Sequence, residues 1–463
     1  MTPPALPAGA RVHLVGIGGA GMSALAQVLI ERGHPVSGSD LRGGRTTTAL
    51  QAMGADIRLV HEAGNVAGAS LVAVSTAIPA DNPEVVAARA GGIPVLPRAE
   101  LLAALMQGYR GLLVAGTHGK TTTTAMVTVA LQAAGLDPSF AIGGRLHEAG
   151  TSAHHGTGEV FVAEADESDS SFLAFVPDCA IVTNVDLDHH DHFADLAAVD
   201  AAFREFLARR PAGAPAIVCA DDPGAQRLLA ATSAPVRTYG RDRGADVRIT
   251  GEEYDAHGSR FAVVDEGGDL GQFRLRLAGP HNVANATAAI AASRWAGASL
   301  DAVKDALARF AGTQRRFQRI GESAGVTIVD DYAHHPTELR ATLGAARQSH
   351  PSGRVVAVFQ PHRYSRTAAL ADDLGEALAT SDVAVVADVY GAGETPVAGI
   401  TGALVADAAR RAGADARFVP SGESLVEAIL ETARPGDLVL TLGAGDITEV
   451  GPQVLDRLSG GAA

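Results

Sequence analysis

A strand-length apolar run, Leu112-Leu-Val-Ala115, leads into Gly116-Thr-His-Gly-Lys-Thr-Thr122, and a helical pattern continues to about Ala134. A strand ending in a glycine-rich turn that opens a helix is the building unit of α/β folds. The lysine in this turn is informative. The chain has only two lysines, Lys120 and Lys304, and every other fixed cation is an arginine. An ammonium is a compact point charge where a guanidinium is planar and bulky. Glycines let backbone N–H groups turn toward phosphate oxygens, and the helix N-terminus adds positive potential. Gly116, Thr117, His118, Gly119, Lys120, Thr121 and Thr122 therefore read as a phosphate cradle, with Lys120 reaching the β/γ phosphates and the Thr121 hydroxyl coordinating Mg²⁺. Val114 stands where the common phosphate loop has a glycine, so this turn is a shortened form.

Three such strand–turn–helix blocks follow one another. The first runs over residues 1–108 and contains Gly16-Ile-Gly-Gly-Ala-Gly21 after the strand Val12–Ile17, with Asp40 after the next strand. That spacing matches the dinucleotide fingerprint, which physically means a diphosphate at a helix N-terminus, whether of NAD or of a UDP-sugar. The second block, 109–313, carries the Lys120 turn and, between Val236 and Leu277, alternating runs expected to be antiparallel strands. The third, 314–463, is another α/β unit of Rossmann type. The expected architecture is α/β in three domains: Rossmann-like, P-loop ATPase-like with added antiparallel strands, and Rossmann-like again.

A formal net charge of −15 argues against nonspecific nucleic-acid or anionic-membrane binding. No segment has the apolar length to cross a bilayer and the N-terminus does not resemble a signal peptide, so the expected location is cytoplasmic. Cys179 and Cys219 lie in apolar runs and read as buried thiols.

Other candidate residues follow strands, at the sheet edge where α/β folds bind ligands. Glu164-Ala-Asp-Glu-Ser-Asp169 offers hard oxygens suited to Mg²⁺. Thr183-Asn-Val-Asp-Leu-Asp-His-His-Asp-His192 is dense in possible ligands; without cysteine or a helical His-x-x-x-His, a second Mg²⁺ with one histidine ligand suits it better than zinc. In the third block, Asp330-Asp-Tyr-Ala-His-His-Pro-Thr-Glu338 and Phe359-Gln-Pro-His-Arg-Tyr-Ser-Arg-Thr367 gather imidazole and charged groups, and Arg363 and Arg366 would hold a carboxylate or phosphate.

Taken together and in this order, these motifs resemble the Mur ligase family of peptidoglycan synthesis over nearly the whole chain. The resemblance implies domains for a UDP-sugar, for ATP and for an incoming amino acid, with UDP-N-acetylmuramate, L-alanine, ATP and Mg²⁺ as the partners. It assigns Gly16, Gly18, Gly19, Gly21, Met22 and Asp40 to the UDP-sugar, and His281, Asn282 and Arg316 to ATP beside the loop. It makes Thr121, Glu164 and His189 the metal ligands. Asp331 and His334 fall in the family's Asp-Tyr-x-His-His-Pro motif, which makes Asp331 a catalytic and ATP-binding residue and His334 a substrate-binding one; His362, Arg363 and Arg366 match the positions that face the amino acid and the reacting carboxylate and, with Lys120, are the other catalytic residues. Later-step members carry a carbamoylated lysine in the ATP domain, and this chain has no lysine between Lys120 and Lys304 to serve as one. Residues near Gly312–Arg316 are the expected hinge for domain closure. A member that attaches a preformed tripeptide, an NAD-dependent oxidoreductase read from Gly16–Gly21 and Asp40, and a noncatalytic nucleotide-binding regulator are the competing readings.

Overall fold

A computed structural model describes residues 6–146, 150–188, 192–232, 235–420 and 422–460. The strands are β1 (Val12–Val15), β2 (Val36–Ser39), β3 (Asp56–Arg58), β4 (Leu71–Val74), β5 (Val95–Pro97), β6 (Arg110–Ala115), β7 (Ser139–Ala141), β8 (Ala153–His154), β9 (Val160–Glu164), β10 (Cys179–Val182), β11 (Ala216–Cys219), β12 (Arg237–Gly240), β13 (Val247–Asp255), β14 (Gly258–Asp265), β15 (Gly268–Leu275), β16 (Gln318–Ser323), β17 (Val326–Asp331), β18 (Val355–Phe359), β19 (Val383–Val386), β20 (Ala416–Phe418) and β21 (Leu438–Leu442). They fold into two compact units: residues 1–248, 264–270 and 285–307 form the first, and 249–263, 271–284 and 308–463 the second.

The first unit contains a parallel five-stranded sheet in the order β3-β2-β1-β4-β5. The order reverses at β1, so the turn after β1 opens onto a switch-point crevice. The same unit holds the parallel run β12-β11-β10-β6-β9-β7, with β8 antiparallel on β7. Here β6 lies between β10 and β9, so whatever follows β6 is flanked by the ends of two strands distant in sequence. β13, β14 and β15 are joined by two-residue turns, the connection of antiparallel hairpins, as the alternating pattern predicts, but β12, at the start of the stretch expected to be antiparallel, instead extends the parallel sheet, pairing in parallel with both β11 and β13.

The Lys120–Ala133 helix shows tertiary context overriding propensity. Thr121–Thr124 is a β-branched run with weak helix preference. All four threonines are buried. The Thr124 and Thr128 hydroxyls donate to the carbonyls of Lys120 and Thr124, each at 2.8 Å, which satisfies them without water.

The second unit is built on the sheet β16-β17-β21-β18-β19-β20, parallel except for β16. Leu442 at the end of β21 is in register with both Asp331 of β17 and Phe359 of β18. Motifs nearly 30 residues apart in sequence thus end at the same level of the sheet. β7, β8 and β16 were not expected from the sequence. β7 and β8 have three and two residues, too short for a readable period, and β16 alternates mostly half-buried and exposed positions. Cys179 and Cys219 are buried free thiols, and burial pushes Cys179 up to about 12.

Candidate active site

The turn after β6 is held by its neighbours. The Thr183 hydroxyl donates to the His118 carbonyl at 2.6 Å, the His118 amide donates to Asn184 Oδ1 at 2.8 Å, and Asn184 Nδ2 returns to the His118 carbonyl at 2.9 Å. Thr117 Oγ1 accepts from the Asp186 amide at 2.9 Å. Gly116 has φ +135, and a Cβ there would lie 2.0 Å from Thr183 Oγ1; Gly119 has φ +82, with Asn285 Oδ1 2.8 Å from its Cβ position. Both glycines are therefore required by backbone conformation and by space.

Lys120 Nζ donates to the Gly116 carbonyl at 2.7 Å, to the Thr117 carbonyl at 3.3 Å and to Glu167 Oε2 at 2.7 Å. Burial works against the ammonium, but the charges of Glu167, Asp166 and Glu164 outweigh it and raise its pKa. The Glu167 carboxyl is also raised, by burial first, with Lys120 pulling the other way and Asp166 adding to the rise. The cation is the firmer member of the pair, because several carboxylates face it.

Thr121 Oγ1 donates to Glu164 Oε2 at 3.1 Å, and Glu164 Oε1 accepts from the Gly143 amide at 2.7 Å. Two of the expected metal ligands are thus brought together as adjacent hard oxygens, the donor type Mg²⁺ takes. His189, the third, lies with His190 and Asp191 outside the described residues.

The first glycine turn shares a cavity with this acidic edge. About 350 Å³ of space is lined by Gly16, Gly19, Gly21 and Met22 together with Glu164, Asp166 and Asp169. Gly16 has φ +77, and the amides of Gly16 and Ile17 donate to the Ser39 carbonyl at 2.8 and 3.0 Å. Asp40 Oδ2 accepts from the Gly18 amide at 2.9 Å, so this carboxylate braces the turn.

The remaining candidates lie in the second unit. Asp331 is buried; its oxygens accept from the amides of Phe317 and Ala333 at 2.7 and 2.8 Å and from Thr342 Oγ1 at 3.2 Å. Burial still carries its pKa up to about 6, against Arg316. His362 goes the other way, down to about 3, through burial first and then the charges of His334, Arg366, Arg363 and Arg315. Its ring stacks on Tyr390 at 5.7 Å, meets the edge of His334 at the same separation, and has Arg366 Nη1 3.4 Å from Nδ1. Arg363 has φ +68 at the start of the Tyr364–Leu378 helix. His334 Nδ1 is 3.1 Å from Glu338, which also lies 3.6 Å from Arg316. His281 and Asn282 begin the Pro280–Trp295 helix, where Asn282 Nδ2 donates to the Ala278 carbonyl at 2.7 Å.

Sequence reasoning missed Glu167 as the partner of Lys120, and Thr183, Asn184 and Asn285 as braces of the loop. Glu167 sits within the acidic run already singled out, but only the placement of β9 beside β6 makes it the partner.

A strand-buried phosphate loop with a lysine, an adjacent hydroxyl–carboxylate pair and a second glycine turn in the same unit define a nucleotide-using α/β protein. Family models identify it further. The model described as the Mur ligase family catalytic domain matches residues 11–110, the Mur ligase middle domain 114–293, and the Mur ligase glutamate ligase domain 315–445. A UDP-N-acetylmuramate–L-alanine ligase of Acidothermus cellulolyticus is 50% identical over 452 residues, 97% of this chain and 95% of the relative. Its counterpart in Mycolicibacterium smegmatis is 48% identical over 460 residues, 97% and 95%. Among solved structures, UDP-N-acetylmuramate-alanine ligase of Thermotoga maritima superposes with a TM-score of 0.81 at 29% identity, covering 96% of this chain and 98% of that one. A murein peptide ligase of Psychrobacter arcticus gives 0.73 at 26% identity, covering 97% and 99%. The chain belongs to the Mur ligase family and has its three-domain α/β fold.

Proposed function

We propose that this chain is an ATP-dependent amide-forming ligase that joins L-alanine to the carboxylate of UDP-N-acetylmuramate, releasing ADP and phosphate, in peptidoglycan precursor synthesis. One observation carries the reading: the cavity lined by the Gly16–Gly21 turn is also lined by Glu164, which accepts a hydrogen bond from Thr121 beside Lys120. A UDP-sugar seated on the turn would present its carboxylate at the edge where the phosphate loop presents ATP. The domains are assigned as 1–108 for the UDP-sugar, 109–313 for ATP and 314–463 for the amino acid. ATP and no membrane-spanning helix among the described residues suit a cytoplasmic setting.

A carboxylate is a poor electrophile, so it is first converted to an acyl phosphate: its oxygen attacks the γ-phosphorus and ADP leaves. Alanine's neutral amine then attacks the acyl carbon, and phosphate departs as the amide forms. The first step is mainly positioning and charge neutralisation. The Gly116–Thr122 amides and Lys120 hold the triphosphate, and Lys120 faces the charge that develops on the transferring group. Thr121 and Glu164, with His189, would hold Mg²⁺, which when bound neutralises phosphate charge. In the third domain, Arg363 and Arg366 supply charge for carboxylate groups and His334 lines the substrate. His281, Asn282 and Arg316 are assigned to ATP. Of the two candidates for taking the ammonium proton, Asp331 at about 6 is better matched than His362 at about 3.

A phosphate-release assay with ATP, Mg²⁺ and UDP-N-acetylmuramate, supplying one amino acid or tripeptide at a time, tests the reading. Release with alanine is expected; release only with the tripeptide would favour the murein peptide ligase reading that the Psychrobacter similarity keeps in view. Oxygen-18 placed in the sugar carboxylate should appear in the phosphate, and its absence would exclude the acyl phosphate.

A further inference from the structure

The charged lining of the shared cavity is unbalanced. Glu164, Asp166 and Asp169 contribute three carboxylates, and Arg98 is the one cationic side chain among the described lining residues. A UDP-sugar acid brings a diphosphate and a carboxylate into this space, so it meets more like charge than opposite charge. Arg98 is the first residue of the Arg98–Leu105 helix, is half-buried, and has no acidic partner among the described residues. A half-buried guanidinium without a carboxylate is an anion site in waiting.

Its position selects the anion. Where a Cβ on Gly21 would stand, Arg98 Cδ lies 2.9 Å away, Nε 3.3 Å and Nη1 3.4 Å. Gly21 is in the first turn of the Ala20–Glu31 helix, immediately after the glycine turn. The guanidinium thus passes over the helix end that offers backbone N–H groups to a diphosphate. The same distances explain Gly21: any side chain there would displace the arginine.

Building on the proposed UDP-sugar reading, we propose that Arg98 clamps the diphosphate of the nucleotide sugar against the Gly16–Gly21 turn, as a specificity-determining residue for the nucleoside diphosphate rather than for the sugar acid. It acts on ground-state binding and not on the transferring phosphoryl group. Its loss therefore appears in the KM for the nucleotide sugar, with kcat at saturation retained.

Calorimetric titration of the full chain with UDP, UDP-N-acetylglucosamine, which lacks the lactyl carboxylate, and UDP-N-acetylmuramate separates the cases. Arg98→Ala should weaken all three by a common factor of about tenfold or more, the scale of a lost charge-assisted bidentate pair. Arg98→Lys should recover part of the affinity, and binding of a nonhydrolysable ATP analogue should be unchanged, which reports an intact fold. Unchanged affinity of Arg98→Ala for UDP-N-acetylglucosamine would overturn the proposal, including the case where only UDP-N-acetylmuramate is weakened, since that places the guanidinium on the carboxylate. If the unmodified chain bound none of the three, the functional reading itself would fall, an outcome distinct from failure of the arginine variant alone.

Discussion

Lys120 is held by two carbonyls of its own loop and by Glu167, so its ammonium is already positioned before any phosphate arrives. Lys120→Ala should lower kcat for phosphate release by about 10²–10³-fold, the usual loss for one aimed donor, while UDP-sugar binding stays intact. Lys120→Arg should be nearly as inactive, because a planar fork cannot place one charge 2.7 Å from both the Gly116 carbonyl and Glu167. Turnover retained in either variant would contradict the assigned role. Gly116→Ala should destabilise the first unit by about 3 kcal/mol or more, combining left-handed strain with a clash on Thr183; thermal denaturation measures it. His362, with its pKa brought down to about 3, should show no imidazole titration by NMR between pH 5 and 8. At this scale Lys120 was legible because the loop is contiguous in sequence. Glu167 and Asn184 were not, since their roles depend on which strands flank β6.

The elements of the first sheet are tied together by one buried acid. Glu84, at the start of the Pro83–Ala90 helix, accepts from Ser39 Oγ of β2 at 2.6 Å and Asn65 Nδ2 at 2.6 Å, and lies 3.0 Å from His61 Nδ1 and 3.5 Å from His13 Nε2 of β1. Burial opposes its charge, but His13, Ser39 and Asn65 more than offset this and take its pKa from 4.5 to about 2. A folded-state pKa below the unfolded value contributes stability that is present above about pH 4.5 and lost as pH falls toward 2. That contribution is about 3 kcal/mol at neutral pH. Glu84→Gln should therefore lower stability at pH 7 and flatten its loss between pH 4.5 and 2, as urea melts across that range would show. Equal acid sensitivity in the two proteins would refute the assignment. Ser39 also accepts the Gly16 and Ile17 amides, so the acid lies one residue away from the turn it supports. The sequence pattern found the long parallel strands because their apolar runs are continuous. It overlooked β7, β8 and β16, whose short or half-exposed runs become strands only by pairing with an existing edge.

At the scale of the whole molecule, the phosphate loop belongs to the first unit and Asp331, His334 and His362 to the second. The proposed reaction assigns groups from each to the same substrate, so closure on binding of all substrates is the expected outcome. The segment expected to act as hinge, Gly312–Arg316, lies within the second unit, with Gly312 at φ +94 and Arg315 at φ +60. Small-angle scattering should give a smaller radius of gyration with UDP-N-acetylmuramate and an ATP analogue together than with neither, and an unchanged radius would count against closure. The α/β class, the loop at Lys120, the glycine turn at Gly16–Gly21 and the succession of motifs were all determined by the sequence alone, because each is a local pattern in which backbone geometry and side-chain chemistry are set within a dozen residues. Which groups face one another was decided only by the tertiary structure. Glu167 reaches Lys120, Arg98 crosses Gly21, and Asp331 ends level with Phe359, because strand order and parallel register bring together residues that no sequence interval relates.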